Sequence, residues 1–199
     1  MTLDKKNHYS YTVYADRDLA ESFHASRFGG PIGELLARNQ EKVLLGFLGP
    51  VENKKIIDVG VGTGRAAIAL TVRGAHVVGV DASAEMLKVA MGRASDAGVD
   101  LDLKIGDAHA LAFEDQSFEA AVSLRVLLHM PDWRQCLGEL CRVSRTKIVF
   151  DYPTLSSIAT LQVLWRRCVF RLGLRTEPYR AFSDRAIAKE LQSHGFVVS

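Results

Sequence analysis

The sequence predicts an α/β protein: a doubly wound, mostly parallel sheet with helices on both faces and a helical cap before it. Three observations carry this. From Lys54 onward, short apolar runs alternate with segments of helical periodicity, each about 10–15 residues long. Three successive runs end in an acid, at Asp58, Asp81 and Asp107. The chain has 199 residues, 48% of them hydrophobic and 24% charged. That is enough for one domain whose core needs no disulfide or metal staple.

The elements follow in order. The segment from about Asp16 to Leu48 reads as helical, with Pro31 suited to a first turn and Gly49-Pro50 as the stop. KKIIDVG is a buried strand, and GTGRAAIALTVRG is the helix after it, ended by Gly74. AHVVGVD is the second strand. SAEMLKVAMGRASDAG is the second helix, with Ser83 as N-cap and Gly98 at its end. LDLKIGDA and FEAAVSLRV are the third and fourth strands, PDWRQCLGELCRV a helix and TKIVFDYP the fifth strand. A last helix precedes Gly195 to Ser199, which reads as the start of a sixth strand.

Composition excludes several classes. There are 25 basic and 23 acidic residues, a net charge of +2, so the whole chain has no footprint for nucleic acid. The excess is local: Thr154 to Arg185 holds six arginines and two acids. Cys136, Cys141 and Cys168 form neither a CxxC pair nor a zinc-spaced cluster, and no metal site is expected. Buried reduced thiols and a cytoplasmic setting are expected instead. The N-terminal MTLDKKNHYS has no apolar core of a secretory signal. Arg166, Arg167 and Arg171 interrupt the least polar stretch, so it is no membrane span.

In open parallel sheets, ligands bind beyond the carboxyl ends of the strands. The first such end reads Asp58-Val59-Gly60-Val61-Gly62-Thr63-Gly64-Arg65. Glycines there allow a tight turn and close approach of a ligand. The loop departs from the dinucleotide pattern GxGxxG, because Arg65 holds the sixth position, and it lacks the GxxxxGK[ST] of a P-loop. Asp58 would repel a pyrophosphate. A ligand without phosphates and with positive charge fits better, and S-adenosylmethionine carries an ammonium and a sulfonium. Asp81 can accept both hydroxyls of a ribose. Asp107 can accept from an adenine amino group while the Ala108 N–H faces the ring edge. A single Asp after Gly is usually a turn residue, but three acids at three strand ends argue for a site.

The stretches IIDVGVGTGRAA, GVDASAEML and GDAHALAFEDQSFEAAVSLRVLLHM together resemble the motifs of the class I S-adenosylmethionine-dependent methyltransferases. The resemblance is strongest to the small-molecule branch that includes ubiquinone and menaquinone biosynthesis enzymes. It covers roughly residues 54–150 and implies a Rossmann-like fold. It further implies that Asp58, Gly60, Gly62 and Gly64 surround the methionine part, and that Asp81 and Ala82 hold the ribose. Met86 then packs on the adenine, and Asp107 and Ala108 read its edge. On this reading residues 1–199 form one domain. Residues 1–50 are the cap, 51–153 the cofactor-binding core, 154–182 a lid-like helical insertion, and 183–199 the final helix and the start of the last strand. Two departures stand out. The segment Arg142 to Thr146 lacks the Pro and Gly of the turn many relatives have there, and the usual antiparallel seventh strand is absent.

Methyl transfer asks the protein mainly to align a nucleophile and exclude water. His129, just past the fourth strand, is the candidate general base, with a loop-bracing role as the plain alternative. Arg125 meets the cofactor at the end of that strand and pairs either with a substrate anion or with a neighbouring Asp. His109 reads as a rim residue. Tyr14 and Arg27 sit in the N-terminal segment, which in resembling enzymes covers the cofactor. An Arg there can bind the methionine carboxylate, against a solvated helix charge. Tyr14 has plain packing as its alternative.

Methylation of nucleic acid is disfavoured: Ser123-Leu124-Arg125-Val126 stands where DNA and RNA amino-group methylases carry an (Asn/Asp/Ser)-Pro-Pro-(Tyr/Phe) turn. In the insertion, Ile158, Leu161, Leu164, Trp165, Cys168, Val169 and Leu172 fall on one side of a helix, with Arg166, Arg167 and Arg171 opposite. Core packing and a lid over the acceptor are the two readings. Val163 and Phe170 on the basic face leave room for peripheral membrane contact and a lipophilic acceptor. The function expected is methyl transfer to a small molecule. The alternative is a cofactor-binding regulator or partner subunit without that activity, and a nicotinamide oxidoreductase is disfavoured by Asp58 and Arg65.

Overall fold

The structure is a computed structural model that describes residues 29–156, Trp165 and residues 180–198. Tyr14, Arg27, Cys168 and most of the 154–182 insertion lie outside the described residues.

Helix α1, Gly30–Leu48, opens with Pro31 in its first turn and ends at Gly49, whose N–H bonds the Leu45 carbonyl. Then come β1 (Lys55–Val59), α2 (Arg65–Thr71), β2 (His76–Asp81), α3 (Ala84–Asp96), β3 (Asp102–Ile105) and β4 (Phe118–Ser123). A 3-10 turn, Leu127–His129, leads to α4 (Trp133–Val143), β5 (Ser144–Phe150) and α5 (Asp184–Ser193). Ser83 caps α3 by accepting from the Met86 N–H, as the sequence anticipates.

The five strands are all parallel, in the order β3-β2-β1-β4-β5. The chain winds from β1 out to β3, then returns to the other side of β1 to lay down β4. The crevice between β1 and β4 is therefore the point where strand order reverses. In β1, Ile56 and Ile57 are both wholly buried, on opposite faces. Ile56 packs with Leu70, Leu44 and Leu48 of α2 and α1, whereas Ile57 packs with Leu137 and Leu140 of α4 and Ile187 of α5. Coverage on both faces explains why the strand is a continuous apolar run rather than an alternating one.

One expectation is corrected. Residues 196–198 form no strand. Gly195, at φ +82°, and Phe196 close α5 instead: the Gly195 N–H bonds the Gln192 carbonyl and the Phe196 N–H bonds that of Leu191. This is a Schellman closure, and Phe196 packs on the core beside it. The missing turn before β5 has a simple account too, since α4 ends at Val143 and β5 begins at Ser144. The reversal is taken up inside the strand, where Ser144 pairs with Phe118 and Lys147 already pairs with Ala120. The Ser144 hydroxyl bonds the Lys147 carbonyl across that bulge at 2.7 Å.

Cys136 and Cys141 are buried free thiols, and burial pushes both up to about 12, so they are inert at neutral pH. Thr154 and Phe182 form a parallel bridge that closes the base of the insertion. No helix among the described residues is long and apolar enough to cross a membrane.

Candidate active site

A cavity of about 160 Å³ lies at the carboxyl ends of the strands, over the β1–β4 crevice. The three glycines after β1 each have a different task. All have positive φ, +75°, +54° and +80°. A Cβ on Gly60 would lie 2.1 Å from Cγ2 of Val126, so the loop presses against the chain leaving β4. A Cβ on Gly64 would meet Cβ of Ala90 at 3.1 Å, so this glycine lets α2 and α3 pack closely. A Cβ on Gly62 would have only the Gly60 carbonyl oxygen near it, at 3.9 Å. Gly62 lines the cavity, so that open space admits a ligand. Gly64 does not line it.

The loop is held from two sides. The N–H groups of Gly60 and Val61 both bond the Val80 carbonyl, at 2.7 and 3.0 Å. From α3, Arg93 donates to the Thr63 carbonyl at 2.8 Å and to its hydroxyl at 3.0 Å. Arg65, the residue that breaks the dinucleotide pattern, reaches Gln40 of α1 at 2.7 Å and ties that helix to the loop.

Asp81, ending β2, accepts from the Gly62 N–H through one oxygen at 2.8 Å and from the Ser83 N–H through the other at 2.9 Å. Burial raises its pKa, against the pull of those N–H groups. Asp58 is 2% exposed, and burial lifts its carboxyl to about 7 despite the nearby Arg65 charge. At neutral pH it is only partly ionised. Electrostatic rejection of a pyrophosphate by Asp58 is therefore weaker than the sequence implied. Because the folded pKa lies above the unfolded one, the folded state holds the proton longer, and stability falls as pH rises from about 4 to about 7. Asp58→Asn should flatten that part of the curve of melting temperature against pH. An unchanged slope would show that other groups set it.

Ala82, Met86, Gly106 and Ala108 line a largely apolar wall beside Asp81. Asp107 is not part of the lining; its side chain is 42% exposed. His109 is corrected from rim to interior, being 1% exposed, and its ring nitrogen Nδ1 lies 2.7 Å from the Asp107 carboxylate. Arg125, Val126, His129 and Met130 form the opposite wall. Arg125 adopts φ +62°, rare for a residue with a side chain, and its N–H bonds the Asp151 carboxylate at the end of β5. Asp151 is raised by burial and sits in the field of both Arg125 and Arg65. His129 is buried, and its N–H bonds the Val126 carbonyl. The Arg180 N–H bonds the Leu128 carbonyl, which brings the end of the insertion to this wall.

Sequence reasoning missed Arg93 and Asp151, and it missed the clamp that α4 places on the β3–β4 loop. Gln135 donates to the His109 carbonyl, Glu139 accepts from the Leu111 N–H, and Arg142 donates to the carbonyls of Leu111 and Phe113. Only the spacing Gln135, Glu139, Arg142 on one helical face signalled it.

Residues 56–147 match a family model described as a methyltransferase domain. The chain is 32% identical over 129 residues to a demethylmenaquinone methyltransferase of Renibacterium salmoninarum, covering 62% of this chain and 53% of that one. It is 31% identical over 127 residues to a ubiquinone biosynthesis O-methyltransferase of Bartonella quintana, covering 61% and 51%. The chain thus spans about half the length of the curated relatives it matches. In fold it is similar to magnesium protoporphyrin IX methyltransferase of Synechocystis, solved with bound S-adenosylhomocysteine: TM-score 0.74, 19% identity, 94% and 90% of the two chains covered.

Proposed function

We propose that the chain is a class I S-adenosylmethionine-dependent methyltransferase that transfers the methyl group of that cofactor to a small-molecule acceptor. The observation that carries this reading is the half-buried Asp81 carboxylate, held beside a glycine loop whose middle glycine opens on the cavity. The cofactor supplies a methyl group already activated by its sulfonium. The residues present suit it. A carboxylate accepts about four hydrogen bonds; the N–H groups of Gly62 and Ser83 use two and that of Ala82 also acts on it, which leaves Asp81 capacity for a ribose hydroxyl. Asp58 has a carboxyl that a neighbouring ammonium would hold ionised.

Ala82, Met86 and Ala108 offer an apolar wall for a flat base, with Asp107 at its edge. Gly60 and Gly64 serve by fixing the loop. Tyr14 and Arg27 are proposed to cover the cofactor. Arg125, His129 and Met130 form the acceptor side, where Arg125 suits an anionic group and His129 accepts a proton from the nucleophile. A lipophilic acceptor is supported by the quinone-pathway names of the two relatives and by the basic amphipathic insertion.

Calorimetry tests this with S-adenosylmethionine, S-adenosylhomocysteine and NAD. Micromolar binding of the two sulfur compounds and none of NAD is expected, followed by methyl transfer to a member of a small-molecule panel that includes quinols. His129→Asn should then lower kcat more than it changes KM. Binding of neither sulfur compound would sink the reading, and binding without turnover across the panel would favour a cofactor-binding regulator.

A further inference from the structure

We infer that His109 is a positioning residue: it fixes the Asp107 carboxylate so that the loop after β3 distinguishes a 6-amino purine from a 6-oxo purine. The inference rests on the cofactor reading above. Asp107 stands between Gly106 and Ala108, both of which line the cavity, and its side chain is 42% exposed. A carboxylate that exposed ordinarily samples several rotamers. Here two donors of His109 meet the same oxygen, Oδ1: the backbone N–H at 2.9 Å and ring Nδ1 at 2.7 Å. A neutral imidazole donates to a carboxylate only as the tautomer with its proton on Nδ1, so the partner selects the tautomer.

His109 is itself held. Its ring is 1% exposed, and its carbonyl accepts from Gln135 Nε2 at 2.8 Å. The Ala110 N–H bonds the Asp107 carbonyl at 3.0 Å, which closes a tight turn around the pair. Two residues on, Glu139 accepts from the Leu111 N–H at 2.7 Å, and Arg142 donates to the Leu111 carbonyl at 2.9 Å. A rigid helix therefore carries the histidine, and the histidine carries the carboxylate. The orientation has a chemical consequence. An exocyclic amino group donates to a carboxylate, whereas a carbonyl in its place sets acceptor against acceptor. Discrimination between the two depends on the carboxylate staying where it is aimed.

The test compares S-adenosylhomocysteine with S-inosylhomocysteine, which differs at that purine position, by calorimetry on the full chain. Wild type should prefer the adenine compound by about tenfold or more. His109→Leu, which keeps bulk and removes the ring donor, should shrink the preference to within about threefold. His109→Asn should restore it, because the asparagine amide nitrogen occupies the same branch position as Nδ1. A role confined to packing would lower the melting temperature and weaken both ligands alike, leaving the ratio unchanged; that result overturns the inference. A second measurement needs no variant. In the wild-type protein, the Nδ1 proton resonance of His109 should move on adding the adenine compound and hold still with the inosine one, and equal shifts with both count against the proposal. If wild type binds neither compound, the cofactor reading itself has failed. If it binds both equally, the inference alone has failed.

Discussion

Replacing Asp81 by Ala should weaken binding of S-adenosylmethionine by at least about tenfold, the largest loss in affinity expected from removing a single side chain. Hydrogen bonds to a charged group contribute about 1.5–3 kcal/mol each, and about 1.4 kcal/mol is a decade in affinity. The carboxylate also organises its own surroundings. Its oxygens accept from the N–H groups of Gly62 and Ser83, so the truncation leaves two backbone donors without their acceptor, next to the glycine loop. Asp81→Asn separates the two effects only partly, because the amide must turn its NH₂ toward one of those N–H groups. It should fall between wild type and Ala. Isothermal calorimetry reads the dissociation constant directly, and a value unchanged in Asp81→Ala would remove Asp81 from the site.

Asp58, Asp81 and the glycine loop were legible in the sequence because strand ends and glycines are local signals. The chain there states both where a strand stops and which positions can take a left-handed turn. What each glycine does was not legible. Gly60 is required by Val126 and Gly64 by Ala90, and those neighbours are 66 and 26 residues away. The ionisation of Asp58 was hidden for the same reason. Its charge was counted as full, whereas burial lifts it to about 7 against the pull of Arg65. His109 was misplaced because a histidine beside a strand-end acid looks exposed until the fold brings Gln135 to its carbonyl. Asp151 and Arg93 were missed outright. One follows β5 and the other lies in the last turn of α3, and neither position signals that its partner is a backbone group of the site.

The β/α alternation and every described strand followed from periodicity and punctuation. The joints did not. The passage from α4 into β5 has no Gly or Pro to announce it, because a bulge at Arg145 and Thr146 does the turning within the strand. Gly195 to Ser199 reads as the start of a strand, yet Gly195 in the left-handed region and Phe196 close α5. A helix end and a strand start share the same apolar residues, and hydrogen bonding decides between them.

Gly60→Ala should be the most destabilising of the three glycine-to-alanine changes in the loop. Gly60 sits at φ +75°, where a Cβ costs about 1–2 kcal/mol, and the new methyl group would lie 2.1 Å from Cγ2 of Val126. Overpacking of a filled core adds about 1–3 kcal/mol. The sum, about 2–5 kcal/mol, is a large part of the 5–15 kcal/mol or so that stabilises a typical domain. At about 2–4 °C per kcal/mol for a chain of this size, the melting temperature should fall by roughly 4–20 °C. Gly62→Ala makes the contrast. Its Cβ meets nothing closer than 3.9 Å, so it bears only the strain of its φ of +54° and should lose about 2–8 °C, less than Gly60→Ala, and it should also lose cofactor affinity, its methyl group standing in the cavity. The clash at Gly60 has one named partner, which gives a further check. Val126→Ala in the Gly60→Ala background removes both γ carbons and should recover part of the loss, the remainder being backbone strain. Thermal melts of the four proteins decide the matter. Equal melting temperatures for Gly60→Ala and Gly62→Ala, or no recovery in the double variant, would show that the approach of Val126 is not what requires glycine there.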